Sequence, residues 1–161
     1  KLLIRAFANV HERNKNTQLT ILGDGVLRLE IENLIKDYNL ENCVTLMGVV
    51  SNVEDYFAGS DAFVLSSDFE GLPLSILEAM ACGLPVISTK TGGTIDIIEN
   101  DVNGYLVESR NEAQLGDAMY RMSLLSEEDR SEFIEKSLEL LIKYDINRCV
   151  KDHERIYANS Q

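Results

Sequence analysis

The sequence predicts a doubly wound α/β domain, in which a parallel β-sheet carries helices on both faces. Two observations lead to this class: short apolar runs recur along the chain, and segments with helical spacing of apolar residues separate them. Such alternation is typical of parallel strands that are joined by crossover helices. The length of 161 residues fits one domain with its own core, and no linker or repeat divides it. Ligands of such folds bind at the carboxyl ends of the strands.

The first half of the chain predicts three helices and three strands. Apolar residues at helical spacing predict helices over residues 1–12 and 27–39. Ser51 or Asn52 can cap a short third helix that ends at Phe57. The strands are β-rich or apolar runs bounded by turn residues, at residues 18–22, 43–47 and 61–65.

The second half continues the alternation and ends in helices. Pro73 begins a helix that runs to Ala81, because a proline in the first turn costs no hydrogen bond, and Gly83 stops it. Apolar runs predict the last two strands, and helical spacing predicts the elements around them. These are strands at residues 85–88 and 105–107, a short helix at 94–99, and helices from residue 111 and over 126–142 and 145–157.

The chain is strongly acidic. It has 15 Lys and Arg against 27 Asp and Glu, a formal net charge of −12. From Asp37 to Thr89 there is no Lys or Arg, whereas eight acidic residues occur. This balance argues against nucleic acid or an anionic membrane as the main partner, because both require a basic surface. No apolar run approaches the ~20 residues of a membrane span, and no signal peptide is recognisable.

Cysteine and histidine usage gives no metal site. Cys43, Cys82 and Cys149 form no C-x-x-C pair and indicate free thiols in a reducing cytoplasm. His11 and His153 lie far apart and near no cysteine cluster.

Two loops at strand ends are weaker candidates for a binding site. Glycines in Gly23-Asp24-Gly25 permit close approach of a ligand to the backbone, but a plain turn is the better explanation and G-x-G-x-x-G is not matched. The segment from Gly48 through Val50 and Ser51 leads into a helix start, which could present N–H groups or could be an ordinary capped helix.

The loop before the helix at Pro73 is more informative. Glu70 lies just before that helix, and Gly71 leaves the backbone accessible. The N–H groups around Leu72, Pro73 and Leu74, apart from the proline, form an anion or hydroxyl site at a helix N-terminus.

Glu78 lies inside the same helix, which is apolar nearly all round. Such a helix is expected to be buried, and a buried carboxylate needs a partner. Either Glu78 lies on an exposed stripe or caps nearby backbone, or it faces a cleft and accepts hydrogen bonds from a vicinal diol such as a ribose.

These residues carry a resemblance to a known family. The stretch E-G-L-P-L-S-I-L-E-A-M-A-C-G-L-P-V-I, in which seven residues separate Glu70 and Glu78, resembles the signature of the retaining GT-B glycosyltransferases of the group 1 family (family 4). The resemblance extends over roughly residues 1–125. Its other pieces are residues 22–25, 44–49 and 61–66, Thr91-Gly92-Gly93, and residues 103–107.

The resemblance implies the C-terminal, Rossmann-like half of a GT-B fold, which binds a nucleotide-diphosphate sugar for transfer, with retention, to a glycan or lipid-linked acceptor. It implies that Glu70, the candidate catalytic residue, contacts the hydroxyls of the donor sugar, and that Glu78 accepts from the ribose diol. Thr91-Gly92-Gly93 is a softer candidate. The remaining implied contacts are N–H groups of Gly71, Leu72, Pro73 and Leu74 (minus the proline) for sugar and diphosphate, Val50 and Ser51 beside the base, and Gly23 and Gly25 against the nucleotide.

The resemblance also implies what lies upstream. The family has an Arg and a Lys before the first helix of this domain that clamp the diphosphate, so the clamp, a preceding strand and the N-terminal acceptor domain are expected before Lys1. Lys1 and Arg5 themselves fit a solvated helix face. We expect this domain alone to be inactive, to need no metal cofactor, and to be cytoplasmic, with any membrane contact made peripherally by the missing half.

Three alternatives remain at this point. The chain could be a non-catalytic donor-binding subunit that completes a split glycosyltransferase with a partner chain. It could belong to another GT-B enzyme, such as a sugar-nucleotide epimerase. A flavodoxin-like signalling domain would explain the alternation of elements but not Glu70 and Glu78.

Overall fold

The computed structural model describes residues 1–145, 147–148 and 150–151. The predicted order of helices and strands is confirmed across these residues. Most of the predicted helix at residues 145–157, and Cys149 with it, lies outside them. The elements are α1 (Leu2–Arg13), β1 (Leu19–Leu22), α2 (Arg28–Asp37), β2 (Val44–Gly48), α3 (Val53–Ala58), β3 (Phe63–Leu65), α4 (Leu74–Ala81), β4 (Val86–Thr89), α5 (Thr94–Ile97), β5 (Gly104–Val107), α6 (Glu112–Met122), α7 (Glu127–Leu141) and a 3₁₀ turn (Ile142–Tyr144).

All described strand pairs are parallel. β4 lies between β3 and β5, with Val86 opposite both Phe63 and Gly104. Every residue of β4 is buried, as expected for a central strand of a sheet covered on both faces. β1 pairs with β2, beginning at Leu19 and Val44, in a second ladder.

Alternate residues of the strands enter two cores on opposite faces of the sheet. Ile87 and Tyr105 join one core with α1 and α6, whereas Val86 and Leu106 join the other with α3, α4 and α5. The same alternation places Val64 in the first core. The predicted class, a doubly wound parallel sheet with helices on both faces, is therefore the observed one.

The sheet is divided between two hydrogen-bonded ladders. Among the described strands, β2-β1 forms one and β3-β4-β5 the other, with no hydrogen bond between them. The three residues of β3 are all apolar, yet all are only half-buried, and no residue of β1 is fully buried. β1 and β3 are thus apolar strands with an unpaired edge, which sheets usually cover or pair.

Helix starts follow the sequence closely with one exception. Asn111 and Ser126 cap α6 and α7 through their side chains, which accept hydrogen bonds from the backbone N–H groups of Gln114 and Asp129. Asn52 stands at the start of α3, as predicted, but its side chain donates to Asp55 at 2.7 Å and caps no N–H group. Within the described residues, no helix combines the length and hydrophobicity that a membrane crossing requires.

Candidate functional site

Residues 66–73 form the loop between β3 and α4, at the carboxyl end of the three-stranded ladder. We call it the 66–73 loop. Three separate contacts hold it: the Thr89 hydroxyl donates to the Ser67 carbonyl at 2.6 Å, the Gly93 N–H donates to the Gly71 carbonyl at 2.8 Å, and Arg110 pairs with Asp68. A loop tied at three points presents its groups in a defined position.

The Thr91–Gly93 turn, which joins β4 to α5, touches the 66–73 loop backbone to backbone. A Cβ at residue 92 would lie 1.8 Å from the carbonyl oxygen of Glu70, and a Cβ at residue 93 would lie 2.2 Å from that of Gly71. Gly92 also has a φ of +42°. The approach is therefore open only to glycine at these two positions.

A network of buried threonines supports the same turn. The Thr94 hydroxyl accepts from the N–H of Thr91 at 2.9 Å and donates to the carbonyl of Thr89 at 2.9 Å. Thr89 and Thr94 are fully buried. The hydroxyl of Thr91 is buried and has no hydrogen-bond partner in the described part of the chain. Sequence reasoning missed Thr89 and Thr94, because a threonine at the end of an apolar strand or at the start of a short helix carries no distinctive signal.

Asp68 is held from the β5–α6 loop. Arg110 lies 3.1 Å (Nη2) and 3.2 Å (Nε) from its carboxylate, and the Ser109 hydroxyl donates to it at 3.4 Å. Arg110 has a φ of 60°, a conformation uncommon for a residue other than glycine, asparagine or aspartate. Nothing in the local sequence marks Ser109 or Arg110 as neighbours of a loop some forty positions earlier.

The 66–73 loop offers both a carboxylate and free backbone donors. Glu70 is half-buried, and its side chain makes no hydrogen bond or ion pair within the described residues. The N–H groups of Gly71, Leu72 and Leu74 are likewise without a partner in that part of the chain. Pro73 occupies the start of α4, where no side chain caps the helix. The expected combination of a free carboxylate with free N–H donors at a helix N-terminus is thus present.

Glu78 is exposed, and the expectation of a helix buried all round is wrong. Ile76, Ala79 and Met80 of α4 are buried, whereas Leu74 and Glu78, one turn apart, are exposed. α4 packs one face on the core and leaves the other open. The Glu78 carboxylate has no hydrogen-bond partner among the described residues. Glu78 therefore caps no described backbone group, and its carboxylate is available to a ligand.

The other candidate loops meet at the end of the β1–β2 ladder. The N–H of Gly23 donates to the carbonyl of Gly48 at 2.7 Å, and both glycines have positive φ. Asp24 accepts from the N–H of Gly25 at 2.7 Å and pairs with Arg28 at 3.2 Å. Gly25 therefore begins an ordered turn, and open space surrounds its Cβ position.

Val50 and Ser51 follow β2 after one residue, Val49. Val50 is half-buried and Ser51 is exposed. No hydrogen bond or ion pair joins the loops of the β1–β2 ladder to the 66–73 loop within the described residues. The structure therefore places the predicted residues in two groups, each at the carboxyl ends of its own strands.

Cations near these loops are paired with acidic side chains. Lys90 pairs with Glu108 at 2.5 Å, and Arg28 pairs with Asp24 and, at 2.9 Å, with Glu32. Over the residues that the structure describes, no three His, Cys, Asp or Glu side chains are grouped as ligands for a metal ion. The groups available to bind a ligand are hence the free N–H groups and the carboxylates of Glu70 and Glu78.

Comparison with known proteins identifies the family. Residues 1–139 match the family described as glycosyl transferases group 1. The chain is 31% identical over 156 residues, 96% of its length, to N-acetyl-alpha-D-glucosaminyl L-malate synthase of Bacillus anthracis, of which it spans 40%.

Solved structures of similar fold agree with this family assignment. A mutant of TarM from S. aureus, in complex with Fondaparinux, alpha-GlcNAc-glycerol and UDP, has a TM-score of 0.89 and 29% identity, with 97% of this chain and 32% of that chain covered. The C-terminal domain of a glycosyl transferase group 1 family protein (LpcC) from Francisella tularensis has a TM-score of 0.78 and 26% identity, with 90% and 78% covered. The chain described here belongs to the group 1 glycosyltransferase family.

Proposed function

We propose that this chain is the donor-binding half of a retaining glycosyltransferase, which moves a sugar from a nucleotide-diphosphate sugar to a glycan or lipid-linked acceptor. The observation that carries the proposal is the 66–73 loop, where free N–H groups and the free carboxylate of Glu70 lie beside α4, which bears Glu78. The S. aureus relative that contains UDP in its crystal structure supports a nucleotide as part of the ligand.

The proposed roles follow from the chemistry of these groups. Carboxylates accept hydrogen bonds from hydroxyls, which suits Glu70 to the donor sugar and Glu78 to the ribose. Free N–H groups at a helix N-terminus suit the sugar oxygens and the diphosphate. Transfer then depends on holding the anomeric carbon toward the acceptor and on stabilising the leaving diphosphate, with Glu70 orienting the sugar and not attacking it.

The divided sheet supports a two-domain enzyme. A doubly wound sheet has the strand order 3-2-1-4-5-6. In this order β2-β1 fits strands 3-2, and β3-β4-β5 fits strands 4-5-6. The place of strand 1, between β1 and β3, is then left for a strand supplied from elsewhere. The half-buried apolar residues of β1 and β3 suit an additional strand between them. The chain also spans well under half of the Bacillus and TarM proteins. We place that strand, the diphosphate-clamping Arg and Lys, and an acceptor-binding domain in a part of the enzyme outside these residues.

The proposal includes no resident metal or cofactor and places the enzyme in the cytoplasm, with any membrane contact peripheral. The described residues contain no cluster of metal-ligating side chains. We expect EDTA to leave donor binding and transfer by the full-length protein unchanged, and a loss that Mg²⁺ or Mn²⁺ restores would contradict a metal-free site. Fractionation of cells that produce the protein checks its location.

Calorimetry on the full-length protein with UDP, GDP and ADP sugars tests the function. We expect one of these classes to bind, and Glu78→Ala to weaken that binding by about 10-fold or more, since hydrogen bonds to a charged group contribute roughly 1.5–3 kcal/mol. Glu12→Ala, which removes an exposed glutamate on α1, is the matched control and should bind as the wild type does. Absence of binding to all three classes, or equal binding by Glu78→Ala, would refute the proposal.

A further inference from the structure

We propose that Gly92 and Gly93 are positioning residues of the donor site, because the Thr91–Gly93 turn is the surface against which the 66–73 loop is set. The inference rests on the proposed function. It adds that the Thr91–Gly93 turn determines the positions of Glu70 and of the N–H group of Gly71. We do not propose that either glycine contacts the donor.

The contact leaves no room for a side chain. Cβ atoms in proteins essentially never lie under 3.0 Å from another heavy atom, and here the distances would be 1.8 Å to the Glu70 oxygen and 2.2 Å to the Gly71 oxygen. An alanine would therefore have to separate the two segments by about 1.2 Å at residue 92 and about 0.8 Å at residue 93. It would also stretch the hydrogen bond from Gly93 to Gly71, now 2.8 Å.

The turn is the stiffer of the two partners. It is anchored by the buried Thr94 hydroxyl, which binds the Thr91 N–H and the Thr89 carbonyl, and α5 begins directly after it. The 66–73 loop is held by Thr89 at Ser67 and by Arg110 at Asp68, both at least two residues from Glu70, and Phe69 and Gly71 on either side of Glu70 are exposed. The separation is hence taken up by the loop, and Glu70 moves outward with it.

Displacement of about 1 Å matters more to transfer than to folding. A misplacement of that size, at a group that orients a substrate, costs on the order of 100-fold in rate. In the full-length protein, Gly92→Ala should lower kcat by about that factor, and Gly93→Ala by less, because its displacement is smaller. The loss of melting temperature in these two variants should resemble that caused by a Cβ–backbone clash elsewhere in the chain.

Gly104→Ala is the matched control for such a clash. A Cβ at residue 104 would lie 2.5 Å from the carbonyl oxygen of Val86, inside the β4–β5 ladder and away from the 66–73 loop. All three alanine variants should lower the melting temperature, but only those at residues 92 and 93 should reduce kcat at a temperature where all are folded. If Gly92→Ala does not fold, Gly93→Ala decides.

A double-mutant cycle separates positioning from general damage. If the turn acts by placing Glu70, Gly92→Ala should change kcat far less in a Glu70→Ala background than in the wild type. Hydrogen exchange gives a readout without substrate: the Gly93 N–H should be protected in the wild type and should lose protection in Gly92→Ala.

The outcomes are distinguishable. A Gly92→Ala enzyme with wild-type kcat and a protected Gly93 N–H, or an equal loss of kcat in Gly104→Ala, would overturn this inference and leave the proposed function intact. A wild type that binds no nucleotide sugar would overturn the proposed function, and the role assigned to the turn with it.

Discussion

Replacing Thr94 by valine tests whether the threonine network supports the site through hydrogen bonds or merely through packing. Valine has nearly the shape of threonine, so the buried volume is conserved and only the hydroxyl is lost. That hydroxyl accepts from the N–H of Thr91 and donates to the carbonyl of Thr89, each at 2.9 Å. The Thr89 carbonyl and the Thr91 N–H differ in the hydrogen-bond partners that remain to them after the substitution.

The carbonyl of Thr89 keeps a partner, because the Ser88 hydroxyl also donates to it at 3.1 Å. The N–H of Thr91 has no other acceptor among the described residues, and Thr91 is only 8% exposed. Valine therefore leaves one buried donor unsatisfied, which costs roughly 1–3 kcal/mol. We expect a free energy of unfolding lower by about 2 kcal/mol, or a melting temperature lower by about 4–8 °C for a chain of this size.

Urea denaturation followed by circular dichroism measures this change, and Thr94→Ser is the control. Serine keeps the hydroxyl and removes a buried methyl group, at a cost of about 1 kcal/mol. The network predicts that valine is the more damaging substitution, whereas packing alone predicts that serine is. A valine variant as stable as the wild type, or more stable than the serine variant, would refute the role of the Thr94 hydroxyl.

Three further predictions concern other parts of the chain. Cys82 is exposed, whereas Cys43 is half-buried and burial raises the pKa of its thiol. Iodoacetamide should therefore modify Cys82 before Cys43 at pH 8, as peptide mass spectrometry can show, and equal rates at the two cysteines would contradict this. Arg13 stacks 3.6 Å above the ring of Tyr120, so Arg13→Ala should lower the free energy of unfolding by about 0.5–1 kcal/mol in urea, and Arg13→Lys should restore part of the loss. Burial raises the pKa of Tyr144 above its usual 10.0. The stability that the neutral phenol contributes is therefore complete below pH 10.0 and is lost as pH rises through the folded-state pKa. Tyr144→Phe should weaken the alkaline fall in melting temperature, and an unchanged fall would contradict this role of Tyr144.

The strands and their order were predictable from sequence because local pattern determines them. The apolar run at residues 85–88 has no polar alternation, which is typical of a strand buried on both faces, and β4 is buried throughout. The helix at Pro73 was predicted within one residue of its observed start at Leu74, since proline marks the first turn. The division of the sheet into two ladders was not predictable, because hydrophobic pattern does not say which strands are neighbours.

The candidate site was only partly predictable, for a physical reason. Glu70 and Gly71 carry their signal in the local sequence, since a glutamate and a glycine before a helix predict an accessible N-terminus. Gly92 and Gly93 predict a turn, but the loop that presses on them lies some twenty positions earlier in the sequence. Composition likewise predicted a buried α4, whereas packing left the face with Glu78 open. Contacts between distant segments are tertiary properties that one sequence does not encode locally.

Charge disfavours the binding of a diphosphate by the side chains of the described residues alone. The cations near the strand ends are committed: Arg110 to Asp68, Lys90 to Glu108, and Arg28 to two carboxylates. A diphosphate would have to break these pairs or be balanced by cations from elsewhere. Free N–H groups carry only partial positive charge, equivalent in sum to about half an elementary charge at a helix start. Because the net charge is −12, donor binding through this chain alone should weaken steeply unless cations from outside the described residues reach the 66–73 loop. Under the proposed function, an anionic donor therefore needs cations other than those already paired among the described residues.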